Sequence, residues 1–187
     1  IVILNQDAAL WLSWTLPDTG FGLRSTGDLL VADWAPFIVG AAPLLTGSSR
    51  TVLVLKSELA ADEQLFWRMA QREFTKLQIL LPGEVAAPGT PTGKTGTPDP
   101  QTLFQNFNVR VNAVDADWGV APGATDTVVL TTTDTDPILP EPAALVKGSI
   151  TLVVNLGTAG THTITVSNET NPAMPSVTSA EFTVLEP

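Results

Sequence analysis

The sequence predicts an all-β protein built as two small β-sandwich domains, and three observations carry that prediction. Apolar residues alternate with polar ones at a period of two in short runs, the signature of half-buried strands. Turn signals rich in Gly, Pro and Asp separate the runs at short intervals. Residues 82–100 (PGEVAAPGTPTGKTGTPDP) hold five Pro and four Gly among 19 residues, with no aromatic. Such a stretch cannot build a core and favours extended, polyproline-like backbone, reaching roughly 60 Å at about 3.1 Å per residue. The expected organisation is therefore a first sandwich over 1–81, an extended Pro/Gly linker over 82–100, and a second sandwich over 101–187.

The elements of the first domain follow in order. Residues 1–4 (IVIL) are β-branched and apolar and read as a chain-terminal strand. In residues 9–16 (ALWLSWTL), Leu10, Leu12 and Trp14 alternate against Trp11, Ser13 and Thr15. Residues 17–20 (PDTG) are a turn signal, and 21–25 (FGLRS) form the next strand. Residues 33–39 lead toward Pro43, 50–55 (RTVLVL) are a strand, 60–64 suit one helical turn, and 65–70 (LFWRMA) close the unit. Residues 74–81 (FTKLQILL) read either as the last strand of the first unit or as the first strand of the second.

Beyond the linker, residues 107–114 (FNVRVNAV) place Phe107, Val109, Val111 and Ala113 on one face and Asn108, Arg110 and Asn112 on the other. Strands at 127–131, 149–156, 161–167 and 180–184 continue the pattern. Gly119, Pro122, Gly123, Gly148, Gly157 and Gly160 space them as in an immunoglobulin-like sandwich.

Composition excludes several classes of function. With 44% hydrophobic residues, five Trp and seven Phe, each half can bury a core. A net charge of −10 with only nine Lys and Arg argues against nucleic acid as a partner and leaves divalent cations open. Cysteine is absent, which excludes disulfides and thiolate metal sites. The longest apolar run, 31–45, is interrupted by Asp33, Pro36, Gly40 and Pro43, so no membrane span is expected. The chain begins at Ile1 without a Met, and the expectation is an exported chain whose N-terminal signal segment has been removed.

At this point the chain resembles a known group. FNVRVNAVDADWGV, ATDTVVLTTTDTDPILP and AALVKGSITLVVNLGTAGTHTITVS look like the immunoglobulin-like modules of large secreted bacterial surface proteins. LWLSW, GFGLRST, Trp34, RTVLVL and LFWRMA resemble a smaller β-module found toward the C-termini of such proteins. The resemblance implies tandem β-sandwiches on a bacterial cell surface. It departs from antibody-type domains, because the chain lacks both the Cys pair and any Tyr.

Few motifs point to chemistry. GTPTGKT at 89–95 evokes a phosphate loop, but Pro88 stands where that pattern needs its first Gly, so Lys94 is expected to be a solvated spacer residue. Asp115 and Asp117, repeated in spacing by Asp134 and Asp136, could share a Ca²⁺ if both pairs sat at one end of the sandwich; Asp is equally a turn residue. His162 is the only His, which leaves a catalytic triad unsupported. Glu58, Asp62 and Glu63 cluster beside Lys56 as a solvated face rather than a glycosidase pair. Trp11 and Trp14 have opposite parity, so one faces the core and the other is free to meet a sugar or a neighbouring subunit. Trp118 is expected to plug one end of the second sandwich. Asn168, Glu169 and Thr170 fit a glycosylation sequon.

No catalytic set emerges, and a non-enzymatic role is expected. The favoured reading is a structural subunit of an extracellular filament, polymerising with copies of itself. Ile1, Val2, Ile3 and Leu4 would donate a strand and Trp11 would contact the neighbour. The alternative is an adhesion or carbohydrate-binding module of a larger secreted protein that recognises surface glycans.

Overall fold

The computed structural model describes residues 1–6, 9–15, 20–31, 33–37, 44–46, 48–59 and 65–187. The turn expected at 17–20 (apart from Gly20), the helical turn at 60–64, and Asp62 and Glu63 lie outside the described residues. Among those described, the protein is all-β, and its one helical element is the short 3₁₀ turn Lys56–Glu58. No described helix is long and apolar enough to cross a membrane. The chain forms two compact units, Ile1–Gln71 and Arg72–Pro187.

The first unit pairs a four-stranded sheet with a three-stranded one. The larger sheet runs Val2–Gln6, Ala9–Thr15, Ser49–Leu55, Leu44–Thr46, all antiparallel. The smaller runs Ala35–Pro36, Phe21–Thr26, Phe66–Gln71. Alternation sends Leu12, Val52 and Val54 into the interior, where Leu10, Trp14, Leu23, Phe37, Leu59 and Trp67 pack around them. Phe37 meets Trp67 edge to face at 5.8 Å.

The second unit is a β-sandwich. One sheet is Ser149–Val154, Phe107–Val114, Lys76–Leu80, and the facing one is Ala143–Ala144, Thr127–Thr132, Ile164–Asn168, Val177–Thr178. A third set joins Gln101–Thr102, Phe182–Leu185 and Gly160–His162, with the first pair parallel. Inward residues from these sheets, among them Leu77, Ile79, Val109, Val111, Val128, Ile164 and Val184, form one continuous core. Lys147 and Gly148, both with positive φ, make the two-residue hairpin between Val146 and Ser149.

Two boundaries differ from the sequence reading. The first unit ends at Gln71, not at residue 81. The FTKLQILL segment instead opens the second unit, with Lys76–Leu80 pairing antiparallel to Phe107–Val114. Its nearly continuous burial has a cause: Leu77 and Ile79 face the core, while Gln78 and Leu80, on the opposite face, are also buried.

The Pro/Gly stretch is a folded cap rather than an extended linker. Val85–Ala86 pairs with Lys94–Thr95, and Gly83, Gly89, Gly93 and Gly96 all take positive φ, which turns the chain instead of extending it. Asp99 N–H donates to Pro82 O at 2.7 Å, closing the loop, and the Gln78 amide donates to Gly93 O at 2.8 Å, fastening it to the sheet. Composition reports what such a stretch cannot bury, but here the backbone and the underlying sheet supply the hydrogen bonds.

Candidate functional site

In the first unit, the terminal strand Val2–Gln6 is an edge strand, paired within its own chain to Ala9–Thr15. Strand donation by Ile1, Val2, Ile3 and Leu4 is therefore not how this copy uses them; Val2–Gln6 forms a hairpin, and its other ladder edge has no strand partner among the described residues. Register places Leu4, Trp11 and Leu53 in one row across three strands, and Val2, Ser13, Thr51 and Leu44 in another. Cross-strand partners share a face, and this face points away from Leu12, Val52 and Val54. The result is an apolar outer surface: Val2, Leu4, Leu44, Leu53 and Leu55 are exposed by 38–62%. Trp14 packs on the core, whereas Trp11 lies half-buried in the outer row. Trp34 is half-buried beneath the guanidinium of Arg68, 4.3 Å from its ring centre.

The four aspartates of the second unit do not share a site. Asp115 follows the last residue of Phe107–Val114; its carboxylate takes Arg72 Nη1 at 2.6 Å and the N–H groups of Asp117 and Gly119. Asp134 is tied to the other end of that strand. Its carboxylate accepts from Asp136 N–H, Thr158 N–H and the Thr158 hydroxyl, and the neighbouring Leu156 O accepts from Phe104 N–H. The eight-residue strand between them spans roughly 23 Å. Both aspartates are buried turn-builders, and among the described residues no group of three or more His, Asp or Glu could hold a metal. Burial acts to raise the Asp134 pKa. The hydrogen bonds from Asp136 and Thr158, with His162 nearby, outweigh it and hold the carboxyl below its usual value.

His162 is buried, and its Nε2 lies 2.9 Å from Thr158 O, so that nitrogen carries a proton donated to the carbonyl. Lys94 is not a free spacer residue: its ammonium pairs at 2.6 Å with Glu84, whose other oxygen caps Leu81 N–H. Trp118, with φ of 67°, lies against Gly93 on one side and under the Lys76 ammonium on the other, 3.5 Å from the ring centre. It therefore pins the cap to the sandwich. Asn168 is buried and committed to Asp126 Oδ2 and Asn171 N–H, so its amide is a structural bond rather than an accessible acceptor.

Sequence reasoning missed the buried amide pair beneath the cap. Asn112 Nδ2 donates to Gln78 Oε1 at 2.9 Å, while Asn112 Oδ1 accepts from Arg110 Nε and Ser149 Oγ. Two amides at outward positions of adjacent strands are its only trace in the sequence. Phe104 was also missed; it is an exposed aromatic with φ of 60°.

No protein-family model and no curated protein matches the chain. Among solved structures, the β-glucuronidase of Parabacteroides merdae with glycerol in its active site aligns at a TM-score of 0.42 and 13% identity. That alignment covers 73% of this chain and 16% of the enzyme. A second structure of the enzyme gives 0.41 and 13%, over 72% of this chain and 16% of that one. Domains 4 and 5 of the S-layer protein SbsC align at 0.39 and 15%, over 89% of this chain and 77% of that one. The chain thus spans about a sixth of the length of the glucuronidase it aligns with. Alignments this loose carry no functional argument.

Proposed function

We propose that the chain is a structural, non-catalytic module of a bacterial cell-surface assembly, joining copies of itself through the first unit. The observation that supports this is the outer face of the four-stranded sheet. Leu4, Trp11 and Leu53 form an apolar row that starts on an edge strand whose outer ladder is open among the described residues. Exposed apolar area next to unpaired backbone groups is the standard template for strand addition. Among the described residues the sheet has a second edge, Leu44–Thr46. Joining one copy's Val2–Gln6 to another's Leu44–Thr46 is a heterologous contact, which propagates as an open filament rather than closing as a dimer.

Sedimentation across a hundredfold range of concentration, with negative-stain electron microscopy at the top, tests this. The wild-type chain is expected to give concentration-dependent, elongated assemblies. Leu4→Lys, which places a charge in the apolar row, and deletion of residues 1–4 should leave monomers. A wild-type chain that stays monomeric throughout, or a Leu4→Lys variant that assembles equally well, overturns the reading.

A further inference from the structure

We propose that the Phe104 end of the second unit is a binding site for a neutral oligosaccharide. Gln105 N–H donates to Thr102 O at 3.1 Å, so residues 102–105 form a β-turn with Phe104 as its third residue. Its φ of 60° is left-handed, and a turn of this kind favours Gly or Asn there. A phenylalanine at that place is strained, and its side chain is 60% exposed. Neither the backbone nor the core asks for it.

Among the described residues, the other two non-glycine residues with positive φ differ in this respect. Trp118 is held between Gly93 and Lys76, and Lys147 fills the tight turn before Gly148. Strain left without a structural return is a pointer to function.

What surrounds Phe104 decides the ligand. Its N–H donates to Leu156 O at 3.0 Å, which seats the turn beside Asn155. Asn155 exchanges two backbone hydrogen bonds with Ile138, 70% exposed, and its side chain donates to Asn106 Oδ1 at 3.0 Å. Asn106 is exposed and Asn155 half-buried, and among the described residues Asn106 Nδ2 and Asn155 Oδ1 have no hydrogen-bond partner, so the pair keeps one donor and one acceptor in reserve. The outward face continues through Asn108 and Val153, opposed in the ladder and both exposed. The Asp136 carboxylate lies against Gly157 at the same end.

An exposed aromatic on a turn whose backbone is bonded next to paired amides suits a sugar: the apolar C–H face of a ring would stack on the phenyl while its hydroxyls bond the amides. A protein surface would need a larger apolar patch. An anionic ligand is disfavoured by Asp136 and by the net charge of −10.

Affinity electrophoresis of the full chain through gels containing soluble cellulose, xylan, glucomannan, mannan or starch tests the site. Retardation by at least one polymer is expected. It should weaken at least tenfold in Phe104→Gly and in Asn155→Ala. Phe104→Gly should also melt no lower than wild type, because glycine relieves the turn, whereas a purely structural Phe104 would lower the melting temperature. Absence of retardation on all five gels, or equal retardation of Phe104→Gly, overturns the site. Leu4→Lys should bind these gels as wild type does, so failure here and failure of self-assembly are separable.

Discussion

The two units obey the same period-two pattern but dispose of their apolar residues differently. In the second, large apolar side chains from every long strand converge on one interior, from Leu77 through Val111 and Ile164 to Val184. Beneath the cap the outward face is buried as well, at Gln78, Leu80 and Asn112, while farther along the same sheet Asn108 and Val153 stay exposed. In the first, only Leu12, Val52 and Val54 are buried apolar residues among those described, while Leu4, Leu44, Leu53 and Leu55 stand in solvent on the opposite face. A sheet with apolar residues on both faces has one face too many for a two-layer fold. The second unit covers much of this face within its own chain, whereas in the first the apolar face stays exposed, which is the face the proposed assembly would cover.

The largest effect expected from this contrast is in the cores. Ile79 is 2% exposed, and Ile79→Ala should cost about 2–5 kcal/mol, through lost burial and the cavity left behind. Urea unfolding should show two transitions. The one that moves with Ile79→Ala should have the same midpoint at every protein concentration. The other, belonging to the first unit, should shift to higher urea as concentration rises, since association stabilises only the folded form. A first-unit midpoint that is flat in concentration would break the comparison.

Next in size is the polar layer that closes the second unit. Asn112→Ala leaves Gln78 Oε1, Arg110 Nε and Ser149 Oγ without their partner, and should cost about 1–3 kcal/mol. Because Gln78 also fastens Gly93, amide exchange at Ala87, which bonds Gly93 O, should quicken more than exchange in the Thr127–Thr132 strand. Uniform quickening across the unit would mean that the cap is not a separable lid on this sheet.

How much of this was legible in the sequence depends on the range of the interactions. Alternation in FNVRVNAV gave its strand correctly, because burial on one face is a local pattern. Trp11 and Trp14 were separated by parity alone, and the structure places them on opposite faces as parity requires. The Pro/Gly segment was misread because its order comes from contacts distant along the chain: Gly93 with Gln78 and Trp118, Gly89 N–H with Asp117 O. The two Asp pairs look alike in spacing, yet the strand between them sets them at opposite ends, a fact that spacing cannot encode. Phe104 was illegible for a further reason: its peculiarity is a dihedral angle.

The smallest expected effect concerns acid, and it separates the units by titration rather than by mutation of a core. Asp134 has an ordinary pKa of 3.8, and in the folded second unit it is held lower. Burial opposes this, but the N–H groups of Asp136 and Thr158, the Thr158 hydroxyl and nearby His162 stabilise the charged form more. The folded protein thus binds this proton less readily than the unfolded chain does. The stability it contributes is complete above about pH 5 and drains away as pH falls through 3.8 toward the folded value. Asp134→Asn removes the titration and presents an amide to donors that need an acceptor. It should therefore melt lower than wild type at about pH 6, and the gap should narrow toward about pH 2.5. The transition assigned to the first unit should show no such narrowing. A gap that stays constant with pH would mean that the Asp134 charge does not hold the Thr158 loop, and that the loop rests on packing alone.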